Sequence, residues 1–181
     1  GVGKGTTIAL LKKRHPTWVF PLSATTRPKR PQETEGETYH FFSHDQFLQK
    51  REAGDFIEWA CVHENNFYGT LKSEIIPFLK EGKTVLSEVD IQGFESIRKV
   101  VPSEDLLSFF LLPPESKVLS QRIRARAPIS KDELQKRLKS ISKEVSLGKD
   151  CDIHIQSKEG VLEYAANEVE KALKDSNNQS L

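Results

Sequence analysis

The chain has 181 residues, 36% of them hydrophobic, and its 27 Lys and Arg nearly balance 26 Asp and Glu for a formal net charge of +1. One domain with a sizeable core is the simplest reading at that length. The charge balance speaks against a surface built chiefly to hold a nucleic-acid backbone, and no apolar run approaches the roughly 18 residues of a membrane span.

The first element is "GVGKGTT", where Gly3, Lys4 and Thr6 match the second half of the phosphate-cradle pattern G-x-x-x-x-G-K-[ST]. The first half, and a strand leading into it, would lie upstream of Gly1, so the sequence reads as a portion of a longer chain. "TTIALLKKR" has helical apolar spacing and a cationic last turn. "WVFPLS" reads as a short strand broken by Pro21, "ATTRPKRPQETEGET" as a polar loop and "YHFF" as a strand. "SHDQFLQKREAG" starts on a capping box, Ser43 with Gln46, and closes on Gly54.

"FIEWACV" is then a strand and "HENNFYGT" a turn, followed by "LKSEIIPFLKEG" as a helix that Pro77 kinks or delays. "KTVLSEVD" reads as a buried strand ending in two carboxylates. Next come "GFESIRKVV" as a helix, "LLSFFLLP" as a buried strand and "ESKVLSQRIRAR" as a helix. Ser130 with Glu133 makes a second capping box, opening a long polar helix. "DIHIQ" alternates like a strand, and "EGVLEYAANEVEKALKD" is an amphipathic helix before a frayed "SNNQSL" tail. Alternating strands and helices predict an α/β fold with a mostly parallel sheet covered on both faces, and ligands at the C-terminal strand edges. The cradle and the end of "SEVD" then share one rim.

The cysteines, Cys61 and Cys151, are far apart, and the histidines show no metal-ligand spacing, so neither a disulfide nor a zinc site is expected. A reducing, cytoplasmic setting fits. Lys4 suits the outer phosphates of a nucleoside triphosphate, with amides around Gly3, Lys4 and Gly5 as donors. Gly5 replaces the usual metal-binding hydroxyl, which Thr6 or water would supply. Glu88 and Asp90, two apart at a strand end, would point to one face and can hold a metal's water shell; an ordinary solvated strand end is the plainer alternative. Arg27 and Arg30 suit bidentate phosphate recognition in a proline-stiffened loop, or form a merely basic one.

Glu58 sits inside an apolar strand, where an unpaired carboxylate is costly. Either a nearby Lys or Arg pairs with it, or it faces a ligand with adjacent N–H donors. Guanine has that edge, through N1–H and the 2-amino group, and adenine does not. Arg122, Arg124, Arg126 and Arg137 lie in a helix, loop, helix layout that is either a solvated face or a lid closing on a transferring phosphoryl group.

In this order, "GVGKGT", "SATTRPKRPQETEGETYHF", "FIEWA", "NNFYGT", "SEVDIQG" and "RIRAR…KDELQKRL" resemble the guanylate kinase family over essentially the whole chain. The resemblance implies one domain over residues 1–181: a three-layer P-loop core, a GMP-binding region at about 24–82 and a helical lid at about 122–140. It implies the reaction of ATP with GMP to give ADP and GDP, with Mg²⁺. Ser23, Arg27, Arg30, Tyr39, Glu58, Tyr68, Thr70 and Asp90 are its GMP residues. Gly1, Gly3, Lys4, Gly5, Thr6 and Arg122 are those for ATP. Lys4, Arg126 and Arg137 would carry catalysis, with Thr6 and Glu88 (through water) at the metal. The expected partners are GMP and ATP only, with no nucleic acid or membrane, in a monomer or homodimer. The other reading is a guanylate-kinase-like scaffold module that binds phosphorylated partners without catalysis.

Overall fold

The computed structural model describes residues 2–62, 66–126, 129–156 and 163–179, and every side chain among them except those of residues 62, 126, 137 and 177–179. The chain divides into two units, one contiguous, His15–Leu106, and one assembled from Gly1–Arg14 and Leu107–Leu181.

In the contiguous unit, β1 (Ser23–Thr25), β2 (His40–Phe41), β3 (Phe56–Val62) and β4 (Asn66–Leu71) form a sheet of order β2-β1-β4-β3. The β1–β2 pair is parallel, and β4 is antiparallel to both β1 and β3. Helix α2 (His44–Glu52) opens on the predicted capping box: Ser43 Oγ accepts from Gln46 N at 3.2 Å and Gln46 Oε1 from Ser43 N at 2.9 Å. Its fully buried Phe47 packs with Ala24, Phe56 and Leu71, and stacks on Phe56 at 4.4 Å between ring centroids. These residues lie on one face of the sheet. A 3₁₀ turn, Lys72–Glu74, delays α3 (Ile76–Lys80), which carries Pro77 in its first turn where no backbone donor is needed. Helix α4 (Ile91–Ile97) lies against β3, joined by Ile57, Ile75 and Ile97 in a second cluster.

Three predictions fail here. Ala24 and Thr25, read as the start of a polar loop, belong to β1 and pair on both sides. Of "HENNFYGT", residues 63–65 lie outside the described residues, but Asn66–Thr70 belongs to the central strand β4 and not to a turn. Pairing on both sides overrides the turn preference of Asn and Gly. "KTVLSEVD" forms no ladder. Val85 makes one parallel bridge to Val19, with Val19 N donating to Thr84 O at 2.9 Å and Leu86 N to Val19 O at 2.8 Å. The next bond of that ladder would come from the nitrogen of Pro21, which has no hydrogen. "WVFPLS" stops at the same bridge for the same reason, and the run is half-buried with Glu88 exposed.

The second unit holds α1 (Lys4–Arg14), β5 (Phe109–Leu112), α5 (Ser116–Arg126), α6 (Lys131–Leu147), β6 (Ile153–Gln156) and α7 (Tyr164–Gln179). Strands β5 and β6 pair in parallel, and β5 is half-buried where a buried strand was expected. Arg14 ties α1 to the region of α7, donating to Asn167 at 2.8 Å and pairing with Glu163 at 2.9 Å and Glu170 at 3.3 Å. Leu119, Ile123 and Leu134 join α5 to α6, with Val2 packed against them. Ser130 caps α6, accepting from Glu133 N at 3.2 Å. Helix α7 runs through Gln179, so residues 176–179 are helical where fraying was expected. The α/β class holds, although the largest sheet is mixed and its parallel pairing is confined to β1–β2. Among the described residues no helix is long and apolar enough to cross a membrane.

Candidate active site

Register decides which side chains meet. Ser23 pairs with Thr70 and Thr70 with Glu58, so these three form one row across β1, β4 and β3. Thr25 and Tyr68 are paired two residues along, on the same face, because side chains repeat at every second position. That face is opposite the one covered by Phe47.

Glu58 is 7% exposed and Thr70 fully buried. The Thr70 hydroxyl donates to Glu58 Oε1 at 2.6 Å. No Lys or Arg among the described residues forms an ion pair with Glu58, so the cationic partner that sequence left open is not what satisfies it. Burial pushes the carboxyl above the ordinary carboxylate range; the Thr70 hydroxyl opposes that shift and the nearby Asp90 adds to it. Asp90 does not end a strand. It caps α4, with Oδ1 accepting from Gly93 N at 2.8 Å.

Gly93 links the two acids. A Cβ there would stand 2.6 Å from Glu58 Oε2, 3.2 Å from Glu58 Cδ and 3.2 Å from Val89 Cβ. The position admits no side chain unless Glu58 moves. Gly93→Ala is therefore expected to destabilise the fold by about 1–3 kcal/mol, the usual cost of overpacking, as measured by urea unfolding. A loss below about 0.5 kcal/mol would mean that the Glu58 carboxyl gives way readily.

Arg27 leaves β1 beside Tyr68. Its Nε donates to the Tyr68 hydroxyl at 3.1 Å, and its guanidinium lies 5.6 Å from the Tyr39 ring centre. Its Nη atoms donate to both oxygens of Glu33, at 2.7 and 3.0 Å. That pairing holds the Arg27 proton more firmly than usual and lowers the Glu33 carboxyl. Burial, followed by the neighbouring Tyr68, raises the Tyr39 phenol, which remains a donor at neutral pH. The Arg30 side chain is exposed, while its backbone N–H bonds Glu33 at 2.8 Å. Sequence reasoning passed over Glu33 and Gly93. A carboxylate among arginines in a proline-rich loop was the available signal for the first; nothing local marks the second.

In the other unit, Gly3 has φ +103°, a conformation open to glycine, and its carbonyl accepts from Thr7 N at 3.0 Å and Thr7 Oγ1 at 3.1 Å. Thr7 is thus turned into the helix, while Lys4, Gly5 and Thr6 are exposed on the first turn of α1. Val2 packs among the residues that join α5 and α6, and Arg122 is a half-buried residue of α5. Gly1, together with the side chains of Arg126 and Arg137, lies outside the described residues. Gln156 Nε2 donates to the Pro113 carbonyl at 3.0 Å.

One unit thus holds a glycine-led helix start, and the other a buried carboxyl beside an arginine–tyrosine cluster. A family model described as guanylate kinase matches residues 1–176. The chain belongs to the guanylate kinase family. It is 37% identical over 155 residues to a guanylate kinase of Trichodesmium erythraeum, covering 86% of this chain and 82% of that one. With a guanylate kinase of Synechococcus sp. (strain JA-3-3Ab) it shares 39% identity over 173 residues, 96% of this chain and 77% of the relative. The crystal structure of guanylate kinase from Anaplasma phagocytophilum superimposes with a TM-score of 0.75 at 27% identity, covering 94% of this chain and 80% of that one. The guanylate kinase match thus takes in residues of both units.

Proposed function

We propose that this guanylate kinase transfers the γ-phosphoryl group of ATP to GMP, giving ADP and GDP, in cytoplasmic purine nucleotide metabolism. The observation that carries the reading is Glu58: a buried carboxyl whose bonded neighbour is a neutral hydroxyl, with Asp90 close by. Two acids of that kind suit a ligand edge made only of N–H donors, and guanine supplies one.

In this reading Glu58 and Asp90 take the guanine edge, with Ser23 and Thr70 beside them. Arg27, Arg30, Tyr39 and Tyr68 hold the GMP phosphate. Gly1, Gly3, Lys4, Gly5 and Arg122 hold ATP. An oxygen of the GMP phosphate forms a bond to the γ-phosphorus as the bond from that phosphorus to the β,γ-bridging oxygen breaks, and ADP leaves with the electron pair. Lys4, Arg126 and Arg137 neutralise the charge spread over the transferring oxygens. A region at about 24–82 serves GMP, and one at about 122–140 closes as a lid.

Thr6 and Glu88 are exposed oxygen donors, and no group of three or more His, Cys, Asp or Glu among the described residues forms a metal cage. That donor set fits Mg²⁺, which keeps most of its waters and arrives with the nucleotide. Thr6, and Glu88 through water, would hold it, and when bound it supplies neutralising charge along the phosphate chain. The protein works as a monomer or homodimer, with no nucleic-acid or membrane partner. A scaffold module that only binds phosphorylated partners is disfavoured by Lys4, Arg126 and Arg137, which such a module has no use for.

The test is a coupled ADP-release assay on the full chain with GMP, AMP, UMP and CMP as acceptors. GMP is expected to exceed each of the others in kcat/KM by roughly 10²-fold or more. GMP consumed no faster than AMP would sink the reading.

A further inference from the structure

Glu33 belongs to none of the groups given a role above, yet its carboxylate is bonded on all sides by its own loop. Oε1 accepts from Arg27 Nη2 at 2.7 Å, and Oε2 from Arg27 Nη1 at 3.0 Å and from the backbone N–H of Arg30 at 2.8 Å. The loop is itself closed by Glu33 N donating to Arg30 O at 3.0 Å. Arg27 donates in addition from Nη1 to the Pro28 carbonyl at 2.6 Å and from Nε to the Tyr68 hydroxyl at 3.1 Å. Of the five N–H groups of a guanidinium, this leaves one, on Nη2, with no acceptor among the described residues. The two charged side chains are 14% and 13% exposed, and the guanidinium lies to one side of the edge-on Tyr39 and Phe41 pair, 5.6 and 5.9 Å from their ring centres.

We propose that Glu33 is a positioning residue for the phosphate of GMP, holding the Arg27 plane so that its single uncommitted Nη2 hydrogen, beside the Tyr68 hydroxyl, is the donor offered to the ligand. The inference rests on the reading that Arg27 meets that phosphate, and it changes the manner of the meeting. The two-pronged grip expected from the sequence is already taken by Glu33, so Arg27 contributes one aimed hydrogen bond. A carboxylate fixed by three charge-assisted bonds, one of them to backbone, is built to stay in place and not to be exchanged for the ligand. Tyr68, whose oxygen already accepts from Arg27, keeps its own proton to give.

Calorimetry on the full chain with GMP and with guanosine tests this. Glu33→Ala is expected to weaken GMP by roughly 10- to 100-fold, the scale of one misaimed charge-assisted hydrogen bond, and to leave guanosine within about twofold. Glu33→Gln, which keeps one acceptor for Arg27 or Arg30, is expected to fall between wild type and Glu33→Ala. In an Arg27→Ala background, Glu33→Ala should cost GMP nothing further. Tighter or unchanged GMP binding in Glu33→Ala would overturn the proposal, the former by making Glu33 a competitor of phosphate. Equal losses for GMP and guanosine would also overturn it, since they report general damage to the unit. If Arg27→Ala alone leaves GMP binding unchanged, the underlying assignment of Arg27 fails, and that outcome is distinct from all the others.

Discussion

Replacing Glu58 by Gln is expected to lower kcat/KM for GMP by about 10²- to 10⁴-fold while leaving KM for ATP within about twofold. The amide keeps the volume and one acceptor oxygen, so the row of half-buried Ser23 with buried Thr70 and Glu58 has no reason to collapse. What changes is that an N–H₂ group now faces the donors of guanine in a site largely closed to water, where two donors with no acceptor between them are each left unsatisfied. Steady-state kinetics with each nucleotide varied in turn measures the split, and equal losses for both would remove Glu58 from guanine recognition. The same residue gives the reaction a pH dependence of known sign. Because burial raises its carboxyl in the folded chain, the folded state holds a proton that the unfolded state has already released. The contribution of Glu58 to stability is therefore full below the ordinary carboxylate range and is lost as pH rises through the raised value. In the proposed reading GMP capture runs the other way, because only the ionised form accepts from both guanine donors. KM for GMP should fall over the interval in which the melting temperature declines, and both slopes should flatten in Glu58→Gln. A GMP KM indifferent to pH across that interval would show that the ionised carboxylate is not the form that binds.

Lys4→Ala is expected to lower kcat by roughly 10²- to 10³-fold, with KM for GMP little altered. Lys4 is the first residue of α1 and is exposed, and the turn it extends from is set by Gly3 and Thr7, not by the lysine. In the proposed reading the substitution takes away a point charge whose main use arises as negative charge shifts along the phosphate chain, while Gly3 and Thr7 keep the turn. An unchanged melting temperature with a depressed kcat supports that assignment. A kcat within about threefold of wild type would take Lys4 out of the chemistry.

The parts legible in the sequence were those whose signals are local. The Ser43–Gln46 box, the run "FIEWACV" that became β3 residue for residue, and the Ser130 cap are each set by contacts within a few positions. What escaped depended on partners distant in the chain. Asn66–Thr70 reads as a turn until β1 and β3 are placed on either side of it. Residues 83–90 read as a buried strand until Pro21, more than sixty positions earlier, is seen to leave them a single bridge among the described residues. At the site, residue types singled out Glu58, Asp90 and Arg27 as candidates, since an acid in an apolar strand and an arginine in a proline-rich loop are unusual wherever they occur. The agents that fix those groups in place, Thr70 across the sheet, Gly93 under the carboxyl and Glu33 against the guanidinium, act through space. Of these only Thr70 was named beforehand, and that came from family likeness.

The way the chain is threaded also orders its maturation on the ribosome. Every contact of the unit His15–Leu106 is available as soon as Leu106 has left the exit tunnel, whereas Arg14 waits for Glu163, Asn167 and Glu170, more than fifty residues further along. At a translation rate of about 5–20 residues per second, the nascent protein spends several seconds with its acid row assembled and its first helix still lacking those partners. In the proposed reading, the half that takes the nucleotide base is thus born before the half that delivers the phosphate.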